Sequence, residues 1–174
     1  MVRLAELDDR AVDNDLEYIN QLIPVKINEK PVVPFSSPVE LESLAGERLL
    51  SDFAIDWETA VGEISPDEVM SLAVSHMAII RDSIDAGLAG TDYKDRILGR
   101  QSHLLKEVPS KGDLIPAGLT NRIIESVTAI MENKSAMGVI VAAPTAGSSG
   151  TIGGVLMPVA ELTGKTEDQL ARSL

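Results

Sequence analysis

The 174-residue chain contains no cysteine. That excludes a disulfide framework, a thiolate zinc site and any iron–sulfur cluster held by this chain alone. Aromatic residues are nearly as scarce, at 3%: one tryptophan, two tyrosines and two phenylalanines. The hydrophobic fraction is nevertheless 44%, so a core must be built from Leu, Ile, Val, Met and Ala, which suits packed helices. No uncharged apolar run approaches the roughly 18 residues of a membrane span. The opening residues Met1 to Ile19 are acidic and carry no apolar stretch of the kind a secretory leader needs. Cytoplasm is therefore the expected location.

Basic charge is sparse in one half. Residues 1–90 carry 18 acidic and 6 basic side chains and so hold the whole net charge of −12, while residues 91–174 carry nine of each. The acidic half argues against nucleic acid as a partner. The neutral half would not repel a small anion.

What is present reads as one mainly α domain, residues 38–174, behind an irregular N-terminal arm, residues 1–37. Pro24, Pro31, Pro34 and Pro38 punctuate the arm; a short helix is expected over Leu16–Ile23, and short extended pieces at Val25–Ile27 and Val32–Val33. Ser37 before Pro38 predicts a helix start, with an amphipathic run from Val39 to Phe53 and a second short helix from Asp56 to Gly62. Ser65-Pro66-Asp67-Glu68 is a strong start signal, a capping serine followed by proline and then glutamate. Val69, Ala73, Met77, Ile80 and Ile84 then form one buried helical stripe, expected to end at Gly87 and Gly90. Residues 91–112 are ambiguous, with a helix allowed over Asp95–Lys106. Leu114–Glu132 predicts another helix, with Leu119, Ile123, Val127, Ile130 and Met131 inward. A helix over Ser149–Leu162 is expected to kink at Pro158 and stop at Gly164, and Thr166 with Gln169 caps a last short helix. Ending the chain inside so short an element suggests a fragment of a longer protein, or a subunit completed by another chain.

The most informative stretch is Gly138–Leu162. Val139-Ile140-Val141 leads to Pro144 and then to Thr145-Ala146-Gly147-Ser148-Ser149-Gly150, just ahead of a helix. Glycines there allow positive φ and close approach of a ligand. The hydroxyls of Thr145, Ser148, Ser149 and Thr151 can donate or cap. Helix-start amides lack internal partners and lie at the positive end of the dipole. Together these make a place for a carboxylate or phosphate, although such loops also serve as plain turns. The loop is not a P-loop, since no Lys-Ser/Thr follows at the required spacing, and it is not a Rossmann fingerprint.

The segment Ser135-Ala136-Met137-Gly138 with Val139 to Gly150 resembles the alpha chain, or alpha domain, of iron–sulfur-dependent L-serine dehydratase. The resemblance extends over residues 40–174, and includes Ile84-Asp85-Ala86-Gly87-Leu88 and Thr163–Gln169. It implies a helical domain and α,β-elimination of water from L-serine, giving pyruvate and ammonia without pyridoxal phosphate. It also implies a 4Fe–4S cluster whose open iron site acts as Lewis acid on the leaving hydroxyl. Thr145, Ala146, Gly147, Ser148, Ser149 and Gly150 would then bind the substrate carboxylate. This chain departs from the family in several places. The cluster cysteines belong to the second half of the family's alpha chain and are absent. Gly153 stands where a proline is frequent. Ile97-Leu98-Gly99-Arg100-Gln101-Ser102-His103 replaces a glycine-rich segment, and the Ser-Ser-His-Thr motif of the family's beta domain is missing. The resemblance therefore implies a partner, either the second half of the enzyme or another subunit, with a homo-oligomer allowed. This chain alone would be inactive.

His103, in a polar cluster, is a further candidate for acid–base or substrate work if it folds back to the loop; the plainer reading is a surface histidine. His76 falls beside the buried stripe and reads as a packed helix residue. Two histidines so far apart predict no metal site. Asp92 and Asp95 read as helix-start acids. Lys94, Arg96, Arg100 and Lys106 form a basic patch that can steer a carboxylate or pair with the acidic half. No lysine suits a pyridoxal-phosphate Schiff base. Two alternatives remain open: a non-catalytic small-anion-binding or assembly subunit on the same scaffold, and a related iron–sulfur lyase acting on cysteine.

Overall fold

Three helix starts are written locally, and the computed structural model, which describes residues 31–95, 99–105 and 117–174, follows those signals. Helix α1, Pro38–Ala45, begins with Ser37 Oγ accepting from Glu40 N at 3.2 Å. Helix α3, Pro66–Ala89, begins with a full capping box: Ser65 Oγ accepts from Glu68 N at 3.2 Å, and the Glu68 carboxylate accepts from Ser65 N at 2.8 Å. The same reciprocal pair, Thr166 with Gln169, starts the last helix. Among the described residues the molecule is mainly helical and has no strand.

Between α1 and α3 lies α2, Leu50–Gly62. The single amphipathic run expected over Val39–Phe53 is broken, because Gly46 takes φ +53° and turns the chain. The separate helix expected at Asp56 is instead the second half of α2. Gly87 does not end α3; it lies inside the helix, and Gly90 provides the C-cap. Helix α4 is Leu119–Ser135, α5 is Ser149–Thr163 and α6 is Glu167–Ala171. Helix α5 continues through Pro158 and ends at Gly164, which adopts φ +62°. Of the helix allowed over Asp95–Lys106, residues 102–105 are helical. Asp92 and Asp95 lie in irregular and turn structure rather than at the start of a described helix. The expectations for Leu16–Ile23, Val25–Ile27 and Leu114–Pro116 fall outside the described residues.

The core lies where α3, α4, α5 and α6 meet. Met77, Ile80 and Ile84 of α3 pack with Ala129 and Ile130 of α4, Met157 and Ala160 of α5, and Leu170 and Ala171 of α6. Val69 and Ala73, at the start of the α3 stripe, are half-buried. Small residues let these helices touch backbone to backbone. A Cβ at Gly154 of α5 would stand 2.7 Å from Val127 N, and one at Gly87 of α3 would strike the Ala129 carbonyl. Exposed ion pairs bridge the same helices: Arg81–Glu167 at 3.3 Å, and Arg122–Glu161. Such pairs contribute only about 0–1 kcal/mol each, so packing holds the helices together. Phe35, Phe53 and Trp57 form an aromatic cluster, with centroids 6.1 Å apart for Phe35–Phe53 and 4.9 Å for Phe35–Trp57. The Arg48 guanidinium lies 4.2 Å above the Phe53 ring.

Candidate functional site

The loop between α4 and α5 begins with a cis Ala143–Pro144 bond and is closed by its own hydroxyls. Ser148 Oγ faces Ala143 O at 2.9 Å and Thr145 O at 3.1 Å, and accepts from Thr145 N at 3.2 Å. Thr145 Oγ1 accepts from Ser148 N at 3.3 Å. Ser149 is buried, and its Oγ donates to Ala146 O at 2.9 Å. The side chains of Thr145, Ser148 and Ser149 therefore shape the loop from within.

Backbone N–H groups are what this arrangement leaves open. Ser148 is the N-cap of α5, yet it makes no side-chain bond to the helix amides. Among the described residues no acceptor faces the amides of Ala146, Gly147, Ser149 or Gly150. Ala146 and Gly147 are exposed, whereas Ser149 and Gly150 are buried. Neither loop glycine has positive φ, so conformational freedom is not why glycine stands there. Their surroundings differ sharply. A Cβ at Gly150 would come within 2.8 Å of Met131 Sδ, whereas at Gly147 it would meet only Thr145 Oγ1, at 3.6 Å. Gly150 is required by the packing of α5 on α4, and Gly147 faces open space.

The last turn of α4 supports this loop from below. Lys134 Nζ donates to Ala146 O at 2.7 Å. Asn133 is buried and its Nδ2 donates to Ser83 Oγ and Val139 O, each at 3.0 Å. Glu132 is 1% exposed and its carboxylate accepts from Gln101 N at 2.6 Å, from Ser102 N at 3.1 Å and from Ser102 Oγ. Ser102 Oγ also lies 2.6 Å from Gly87 O. A buried carboxylate is tolerated when donors surround it in this way. Sequence reasoning gave no role to Glu132, Asn133 or Lys134. The missed signal was polarity on the inner stripe: Ser126, Ala129, Ile130 and Asn133 share one helical face, and all four are buried.

The remaining sequence candidates are not brought to the loop. His103 lies on the 102–105 helical turn, half-buried, with Nδ1 enclosed and unpartnered. Among the described residues no hydrogen bond joins it to residues 144–150. His76 is a half-buried residue of α3, and burial lowers its pKa. Lys94 and Arg100 are exposed, and Arg96 and Lys106 fall outside the described residues. Among the described residues no three His, Asp or Glu side chains converge as a metal site, and no helix is long and apolar enough to cross a membrane.

A family model described as serine dehydratase alpha chain matches residues 16–174. The match begins within the segment read from sequence as an unrelated arm. The chain is similar to the "Probable L-serine dehydratase, alpha chain" of Bacillus subtilis (strain 168), at 28% identity over 142 residues. The aligned region is 80% of this chain and 47% of that relative, so the chain spans about half the relative's length. No solved structure matches the chain.

Proposed function

Since the chain belongs to the serine dehydratase alpha chain family, we propose that it supplies the substrate-binding part of an L-serine dehydratase, with the loop Pro144–Gly150 holding the carboxylate of L-serine. The observation that carries this reading is that the exposed residues Ala146 and Gly147, beside the uncapped start of α5, have no acceptor for their N–H groups among the described residues. A carboxylate is an acceptor only. It would complete those donors and sit at the positive end of the helix dipole. Gly147 leaves room for it, because the only atom within 4 Å of where a Cβ would stand is Thr145 Oγ1, at 3.6 Å. Thr145, Ser148 and Ser149 serve the site by fixing the loop's shape.

Elimination of water across the Cα–Cβ bond of L-serine leaves an enamine that tautomerises to the imine. Hydrolysis of the imine takes one water back and releases ammonia, so the net products are pyruvate and ammonia. The work of this chain in it is to hold and orient the carboxylate end. The family resemblance implies a 4Fe–4S cluster acting on the leaving hydroxyl. The residues here do not fit one: the chain has no thiolate to offer, and among the described residues no alternative ligand group converges. Cluster ligands would have to come from a partner, the second half of the enzyme or another subunit, and this chain alone would be inactive. The same lack of thiolates favours a second reading, a small-anion-binding or assembly subunit on this scaffold.

The deciding experiment mixes the chain with the cysteine-bearing remainder of the enzyme, adds iron and sulfide without air, and assays pyruvate from L-serine. Pyruvate from the mixture, and from neither part alone, is expected. L-serine binding without turnover would favour the second reading. Loss of both would overturn both.

A further inference from the structure

Three successive side chains at the end of α4 hold three different segments. Glu132 accepts from Gln101 N and Ser102 N, Asn133 donates to Val139 O, and Lys134 donates to Ala146 O. Glu132 and Asn133 are buried, so the turn that carries Lys134 is fixed from the core. Among the described residues Lys134 pairs with no carboxylate, and Ala146 O is its one acceptor, at 2.7 Å. The carbonyl of a trans peptide and the following N–H point in opposite directions. Whatever holds Ala146 O therefore sets the direction of Gly147 N–H.

We propose that Lys134 is a positioning residue for the Pro144–Gly150 loop: its ammonium fixes the 146–147 peptide so that Gly147 N–H faces the ligand. The inference rests on the carboxylate reading of the loop and adds to it a residue from outside the loop. Ser149 Oγ holds the same carbonyl from inside, at 2.9 Å. Lys134 thus ties the Ala146 carbonyl to the last turn of α4, from outside the loop. A plainer role also exists, since a cation in the last turn of α4 favours that helix through its dipole. That role alone predicts a lower melting temperature and no change at Gly147.

The test compares wild type, Lys134→Met, Lys134→Gln and Lys134→Arg in the full chain labelled with nitrogen-15. The Gly147 amide resonance is identified by its loss in Gly147→Ala. In the ligand-free chain, Lys134→Met should move the Gly147 resonance and Lys134→Arg should restore it. If Lys134→Met does not fold, Lys134→Gln takes its place. On titration with L-serine, binding should weaken about tenfold without the cation and recover with arginine. An unmoved Gly147 resonance, or wild-type affinity in the Met or Gln variant, overturns the proposal. If the wild-type chain itself shows no response to L-serine, the carboxylate reading fails separately, and the ligand-free resonance still decides whether Lys134 positions the peptide.

Discussion

Two glycines seven residues apart stand for opposite kinds of constraint. At Gly154 a methyl group would meet the Val127 backbone at 2.7 Å, so the helix pair itself forbids a side chain. At Gly147 the nearest atom would be 3.6 Å away. Gly147→Ala should therefore melt within about 1 kcal/mol of wild type while weakening L-serine binding about tenfold, because the methyl group occupies the ligand's side of the loop. Calorimetric titration beside a thermal melt checks both halves. Equal affinity in the variant would remove the loop from the site. Glu132 gives the reverse pattern. Glu132→Gln replaces a charged acceptor of two amides and a hydroxyl with a neutral one, and should cost about 2–3 kcal/mol in urea unfolding.

Element boundaries were legible wherever the signal was local. Ser65-Pro66-Asp67-Glu68 and Thr166 with Gln169 start helices because their caps close within one turn. Ser65→Ala should cost about 1 kcal/mol in a thermal melt. The exposed Glu68 carboxylate has a lowered pKa, chiefly because it accepts from Ser65 N and next because it accepts from Ser65 Oγ at 2.8 Å, the bond that Ser65→Ala removes. Its contribution is present above the ordinary value of 4.5 and is lost as pH falls below it, so the cost of Ser65→Ala should shrink at pH 3. What depended on a partner helix was not legible. Gly87 reads as a terminator, but its role is to admit the Ala129 carbonyl of α4. Glu132 reads as the last residue of a helix and Asn133 as the residue after it, but they hold segments 31 and 6 residues away in sequence. The loop was visible as a motif, whereas the fact that its hydroxyls bond within the loop while the amides of Ala146 and Gly147 keep no acceptor among the described residues was not, since either arrangement has the same composition.

For the molecule as a whole, the four helices α3 to α6 share one apolar core, and His76 lies half-buried on the longest of them. Burial lowers its pKa below the ordinary 6.5, so the unfolded chain takes up the proton more readily. This contribution to stability is complete above that value and is lost as pH falls through it. The melting temperature should drop between pH 7 and pH 5.5, and His76→Gln should flatten the curve in that window. The Glu40 and Glu68 carboxylates, both with lowered pKa values, enter only at more acidic pH. A flat wild-type curve from pH 7 to 5.5 would show that His76 does not couple to folding.

The aromatic cluster has an optical consequence. The sole tryptophan, Trp57, belongs to α2 and packs at a tilt against Phe35, and among the described residues no hydrogen bond or ring contact joins it to the α4–α5 loop. Its emission is a lamp fixed in the aromatic cluster of α2. It should report the melting of α2 and its neighbours and stay constant when L-serine occupies the loop. A tryptophan introduced near Thr145 would be needed to see binding by light.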